Sequence, residues 1–533
     1  MDNEETPLIR PNGQDELADG ELLLHSEQHH EHVNTKRLLN SRHISMISIG
    51  GIVGTGLFLG IRAALVNGPI ISILSYAYIS VICYTVIQSV GEMACFMPLN
   101  GSVCQFQFIF LSNSIGLAIN VIYWISWSIT LALEISLIYS VLSFWSDSFP
   151  FIKEHQLTII FAFWLVLTLF NLLPVNFYGE IEFVISILKI SFIICWIVLS
   201  VYILTSRHVG FKYWTKDLLW GIDTIRVVKN PVGSKVLNIM ASLVSSCFTF
   251  QSIESIAICS GEIHDAHVNL PKAIKYVLAR IIVFYITTLF LLTMLIPCNH
   301  PQLTNGGSDD DIFSSPFLIG LINCGISTSS FILSVFNFVI LVSMISAANS
   351  NIYFGSRCLI SMVEEGYFPK FLSYTNSKGV PYPAILLTSS LGLISLFSKS
   401  ETIAVLFNLL VNLCATSGLI MWLFISVSYL RFLRTLTFNG LDYNRLSFRT
   451  KYPRLLVVLN WISIASIVAI ILGNGVLNFW NFNWNNFFSC YLTSIILIAT
   501  SFGLSWYWNE PLLIPLGSID IFSEQSPFAF EKQ

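Results

Sequence analysis

Apolar stretches recur along the chain with polar interruptions between them, and most are near the roughly 20 residues that a helix needs to cross a bilayer. Twelve are predicted as membrane helices, at 44–66, 70–95, 116–145, 157–174, 181–206, 236–260, 278–297, 328–352, 381–397, 402–430, 455–473 and 486–508. The pattern therefore predicts an all-α polytopic membrane protein. Two of these stretches depart from a plain apolar helix. The first contains GGIVGTGLFLG, five glycines and Thr55 between Gly50 and Gly60. Each glycine weakens a helix interior by about 1 kcal/mol relative to alanine, so this helix is weakened at one depth. The sixth carries Ser245, Ser246, Thr249, Gln251, Ser252, Glu254 and Ser255, more polar groups than a helix facing lipid would hold.

Backbone groups freed at membrane depth are tolerated only where they face protein or a water-filled cavity, which is where transporters place substrate and coupling ions. Close helix packing is the other reading of the glycines, because Gly50 and Gly54, and Gly56 and Gly60, each lie four apart. Spans one and six occupy corresponding positions if spans 1–5 and 6–10 form inverted repeats. Facing half-helix ends would offer N–H groups to a carboxylate and carbonyl oxygens to an ammonium, which together suit a zwitterionic α-amino acid.

Composition narrows the class further. Hydrophobic residues make up 54 % and charged residues 11 %, whereas a soluble chain carries about a quarter charged residues. The first 43 residues are polar and acidic, unlike a cleavable signal peptide, so the N-terminus is expected in the cytosol. With that orientation, 17 of the 27 lysines and arginines fall on the cytosolic side, nine on the other, and Lys189 inside the fifth span. Six of the nine sit in the long loop 206–235, the weakest part of this assignment. The eleven cysteines show no CxxC or metal-ligand spacing, and no nucleophile constellation is present. No metal, cofactor, enzymatic activity or nucleic-acid partner is expected. Cys298 and Cys324 would lie at the outer ends of spans seven and eight, which leaves a disulfide open, and Asp309, Asp310 and Asp311 beside Gly306 and Gly307 read as a solvated loop.

An ionised side chain at the bilayer centre costs about 2.5–3.5 kcal/mol on insertion scales, so Glu134, Lys189 and Glu254 are functional candidates. Mutual pairing or snorkelling is the structural alternative.

From about Arg42 to Trp508 the chain resembles a fungal amino-acid permease of the amino acid-polyamine-organocation superfamily. The resemblance is carried by RHISMISIGGIVGTGLF (42–58), QSVGEMACFMP (88–98), YWISWSITLALEIS (123–136), NLLPVNFYGEIEF (171–183), FTFQSIES (248–255), GEIHDAHVNLPKAI (261–274), SAANSNIYFGSR (346–357) and GVPYPA (379–384). It implies twelve transmembrane helices, a five-plus-five inverted repeat of LeuT type with two C-terminal helices, and proton-driven uptake of amino acids. The substrate carboxylate would meet the backbone at Gly54, Thr55 and Gly56, and its ammonium the carbonyls near Phe250 and Ser252, with Glu254 close by. Ser346 and Asn349 would line the same region. In proton-coupled relatives a lysine of the fifth span replaces a sodium ion; Lys189 matches it and would exchange a proton during the cycle. The resemblance is strongest to the basic-amino-acid branch, and Glu134, Glu182 and Glu254 against Lys189 also favour arginine or lysine, with Glu134 as a substrate contact. A broad or neutral permease and a non-transporting sensor are the alternatives. The family has Gly-Thr where this chain has Ser252-Ile253, which makes an unwound turn there costlier and puts the substrate in question.

The segment 1–43 reads as a disordered cytosolic tail, and 509–533 as a second cytosolic tail, flanking a permease domain over 44–508. EETPLI (4–9) and DGELLL (19–24) have the form of acidic dileucine sorting signals. They keep a vacuolar or endosomal membrane in view beside the plasma membrane that the resemblance implies. Trafficking and ubiquitin machinery are further candidate partners, although only Lys36 precedes the first span. His25, His29, His30 and His32 read as part of the solvated tail.

Overall fold

The structure is a computed structural model that describes residues 46–47, 51, 53–206, 211–215, 218–221, 231–263, 265–304, 315–326, 331–397, 402–476, 482–523, 525–526 and 529–530. Several sequence expectations lie outside those residues: the tail 1–43 with its sorting motifs, histidines and Lys36, Gly50, much of the loop 206–235, and Asp309 to Asp311.

Every described element of regular structure is helical, as the apolar pattern predicts. Eight helices are long and apolar enough to cross a membrane. Three shorter apolar helices, Gly56–Leu65, Gln156–Asn171 and Tyr382–Phe397, stand where spans one, four and nine were expected, and span seven belongs to the helix Ala266–Leu295. Their ends follow local chemistry. Pro69 and Pro453 occupy first turns, where a missing N–H costs nothing, and the Ser112 hydroxyl accepts from the Ile115 N–H to start span three.

Depth in the assembly separates the helices. Of the most apolar window of span three, Asn113–Trp145, 67 % is buried, against 28 % for Pro453–Gly473 and 22 % for Trp484–Trp508. Spans two and ten, at 61 % each, join span three at the centre, and the last two helices form the periphery.

Spans seven and ten run further than expected, over Ala266–Leu295 and Thr402–Phe438, and span eight needs the same correction. Span eight was expected over 328–352, but its helix runs Phe331–Glu364. The added part carries the charged Arg357 and Glu364, and its buried polar groups are paired inside the protein: Arg357 Nε lies 3.0 Å from Glu262 Oε1, and the Tyr353 hydroxyl donates to Glu262 Oε2 at 2.6 Å. Hydropathy loses such a segment because it counts polarity without partners. Cys298 and Cys324 are both free thiols, so the disulfide left open by the sequence is not formed.

Beyond Trp508 the chain returns across helix ends. The Ile514 N–H donates to Leu111 O at 2.8 Å, the Ser526 N–H donates to Phe96 O at 2.9 Å, and Ile521 is fully buried.

Candidate functional site

Both polar-rich spans are interrupted at the same place in the protein. In span one the chain bends at Val53 and Gly54, then continues as a π-helical turn, Gly56–Gly60. In span six the helix Pro231–Phe250 stops, residues 251–254 form a turn, and a short helix resumes over Ser255–Ile258. Ser252 holds that turn open at φ 76°. This is left-handed backbone that glycine adopts without penalty and a side chain does not, at the position where the resembled family has glycine.

The two readings of the glycines are both realised. A Cβ on Gly54 would stand 2.6 Å from Ala347 Cβ, and one on Gly56 would stand 3.0 Å from Thr249 Cα, so the small residues let span one lie against spans eight and six. The loosened backbone in turn finds partners on span six. Thr249 donates to Gly56 O at 3.3 Å and Ser245 to Gly60 O at 3.2 Å. Ser315 donates to Phe58 O at 2.7 Å. Part of the polar density of span six therefore serves to satisfy span one.

A cavity lies between the two breaks. It is lined by Gly51, Gly54, Thr55, Gly56, Trp127, Thr130, Glu134, Phe248, Thr249, Gln251, Ser252, Ala347 and Asn351. About 420 Å³ of space, part of it open, lies against these walls, and about 40 Å³ of it is wide enough for water, room for a few water molecules. An amino acid enters only if these walls move apart.

Three buried polar atoms on the cavity walls, Glu134 Oε2, Trp127 Nε1 and Asn351 Nδ2, have no hydrogen-bond partner among the described residues. Buried polar groups are almost always paired, so these three atoms give the cavity walls bonding capacity that water or a polar ligand can meet. Glu134 reaches it from span three, and its other oxygen accepts a hydrogen bond from the Thr55 hydroxyl.

Of the residues expected at the site, Gly54, Thr55, Gly56, Glu134 and Ser252 line this cavity. Phe250, Glu254, Ser346, Asn349 and Lys189 do not. The Phe250 ring is buried against Tyr285, centroids 4.9 Å apart. Both carboxylate oxygens of Glu254 are occupied, Oε1 by the Tyr123 hydroxyl and Oε2 by Trp422 Nε1 at 2.8 Å, which ties span six to spans three and ten.

Lys189, Ser346 and Asn349 gather in a second buried cluster around Glu182. Lys189 Nζ donates to Ser346 Oγ at 2.9 Å, and the Ser346 hydroxyl lies 2.7 Å from each Glu182 oxygen and donates to that carboxylate. Asn349 bonds the same carboxylate and accepts from Asn171 Nδ2 at 2.5 Å. Glu182 and Glu134 are the charges that act on Lys189.

The sequence reading did not single out Trp127, Thr130 or Asn351, and named Gln251 only among the polar residues of span six. A signal existed: Trp127, Thr130 and Glu134 fall at i, i+3 and i+7, one helical face, as Ala347 and Asn351 do at i and i+4.

Comparison with known proteins agrees with this architecture. The chain is 37 % identical over 523 residues to the lysine/arginine permease CAN1 of Candida albicans, spanning 96 % of this chain and 88 % of that one. It is 35 % identical to the lysine-specific permease of Saccharomyces cerevisiae, over 94 % of this chain and 80 % of that protein. To the basic amino-acid permease of the same yeast it is 34 % identical, over 93 % and 85 %. In fold it is similar to the crystal structure of MhsT in complex with L-phenylalanine, with TM-score 0.55 and 13 % identity over 82 % of this chain and 99 % of the other. The amino acid permease family matches residues 43–513, and the chain belongs to it.

Proposed function

We propose that the protein carries amino acids across its membrane by symport with protons, with lysine and arginine favoured. The observation that carries this reading is the cavity between two broken spans with an uncompensated carboxylate oxygen, Glu134 Oε2, on its wall. The loosened backbone at Gly54, Thr55 and Gly56 suits a substrate carboxylate, the turn at Ser252 suits the ammonium end, and Glu134 suits a cationic side chain. The basic permeases among its relatives support the cationic preference.

Lys189 is the proposed proton-coupling group. It sits outside the cavity, bridged through Ser346 to Glu182, where a change in its charge would act on spans five and eight rather than on substrate directly. The plasma membrane is the proposed location, with both termini in the cytosol and lipid as the surrounding partner.

Uptake of labelled lysine by cells expressing the chain, with surface protein verified, tests the reading. Uptake above an empty-vector control that rises as the outer pH falls is expected. No uptake at normal surface abundance overturns transport, and uptake indifferent to the pH gradient overturns proton coupling. Lysine binding without uptake is the outcome that favours a sensor.

A further inference from the structure

Gln251 opens the turn that interrupts span six and lines the cavity. Its side chain crosses to span ten, where Nε2 donates to Cys414 O at 3.1 Å. A carbonyl oxygen can only accept, so this contact settles which end of the amide is which: the nitrogen faces span ten and Oε1 faces away from it. Gly418, one helical turn beyond Cys414, leaves the room. A Cβ there would lie 3.1 Å from Cγ, Cδ and Nε2 of Gln251. Among the described residues no donor meets Oε1.

We infer that Gln251 is a substrate-binding residue whose amide oxygen accepts a hydrogen bond from the α-ammonium of the amino acid. This rests on the reading that the cavity holds an amino acid with its carboxylate at Gly54 to Gly56. The α-ammonium and the carboxylate share one carbon, so the ammonium must lie beside that backbone. The break in span six is its neighbour, because Gly56 packs directly on the Thr249 backbone. Of the side-chain acceptors near that junction, the Thr249 hydroxyl gives its hydrogen to the carbonyls of Gly56 and Ser245 and has the Tyr76 hydroxyl, 2.9 Å away, on its acceptor side. Gln251 Oε1 is uncommitted. Its neutral amide orients an ammonium without adding a charge, leaving the Glu134 carboxylate for the cationic end of lysine or arginine. The latch to Cys414 also means that a bound ammonium draws span ten and the span-six turn together.

The test uses the full chain in cells, with labelled lysine uptake normalised to surface abundance. Gln251→Met keeps length and removes the acceptor; KM for lysine is expected to rise about tenfold or more, with maximal rate within about twofold. Gln251→Glu keeps an acceptor oxygen at the same reach but loses the bond to Cys414 O, so its KM is expected to fall between those of wild type and Gln251→Met. Inhibition of lysine uptake by 6-aminohexanoate, which is lysine without its α-amino group, is expected to be equal in wild type and Gln251→Met. An unchanged lysine KM in Gln251→Met, a Glu variant as impaired as the Met variant, or a wild-type advantage for 6-aminohexanoate overturns the assignment. If the Met variant does not reach the surface, Gln251→Ala, which also removes the acceptor, is measured in its place with the same expected rise in KM. Failure of wild type to take up lysine sinks the transport reading instead, so the two are separable.

Discussion

Thr55 donates its hydroxyl hydrogen to Oε1 of Glu134, joining the broken first span to the third, while Oε2 of the same carboxylate is buried with no hydrogen-bond partner. Among the described residues, half of this carboxylate's bonding capacity thus lies unmet at the wall of a cavity. Leaving such a group unmet costs about 1–3 kcal/mol, more when it is charged, and a cationic ligand removes that cost.

Glu134→Gln keeps the shape and the Thr55 contact but removes the charge. Uptake of lysine is expected to fall by about tenfold or more at normal surface abundance, with a smaller loss for any neutral amino acid that is transported. Competition by unlabelled lysine and by a neutral amino acid, compared in the two proteins, measures the difference. Equal losses would place Glu134 in the fold rather than in recognition.

Glu254→Gln should behave differently. Both oxygens of Glu254 are held, by Tyr123 and Trp422, and the residue does not line the cavity. Loss of stability is expected, with lysine and neutral substrates affected alike. Detergent melting of the purified variant, set beside its competition profile, would show this. A selective loss of cationic substrates would return Glu254 to the binding site.

Ser252→Gly is expected to stabilise the protein by about 1 kcal/mol, because φ 76° is free for glycine and penalised for serine. Ser252→Val should destabilise by more, since branching at Cβ makes that region worse. The order of melting temperatures, Gly above Ser above Val, is the check.

Gly54→Ala places a methyl 2.6 Å from Ala347 Cβ, too close for either backbone to accept without moving. A loss of about 1–3 kcal/mol and of uptake is expected. The double change Gly54→Ala with Ala347→Gly should recover stability. No recovery would mean that Gly54 is needed for its backbone freedom more than for the contact with span eight.

Lys189→Met leaves the Glu182 carboxylate buried without its cation, which typically costs about 3–5 kcal/mol. Adding Glu182→Gln is expected to restore surface abundance while uptake no longer responds to external pH. A pH response retained by the double variant would remove Lys189 from coupling.

Much of this protein was legible in the chain because membrane insertion writes itself as long apolar runs. Helix number, the sites of the two broken spans and the oddity of Glu134, Lys189 and Glu254 follow from the roughly 20-residue requirement, from glycine's missing Cβ and from the cost of charge in lipid. The penalty at Ser252 was visible as a serine in place of the family's glycine, and its positive φ gives that penalty a physical form. What those rules cannot assign is which buried polar group meets which. Glu134 and Glu254 are the same residue type at similar expected depth, yet one ends at a cavity with an empty oxygen and the other is locked between Tyr123 and Trp422. Lys189, expected as the coupling group, is held in a cluster with Glu182 and Ser346 apart from the cavity. Hydrogen bonds reach only about 3 Å, so the role of each polar group depends on contacts between spans far apart in sequence. The helices and their weak points are local properties of the sequence, whereas the pairing of their polar groups exists only once the helices are packed.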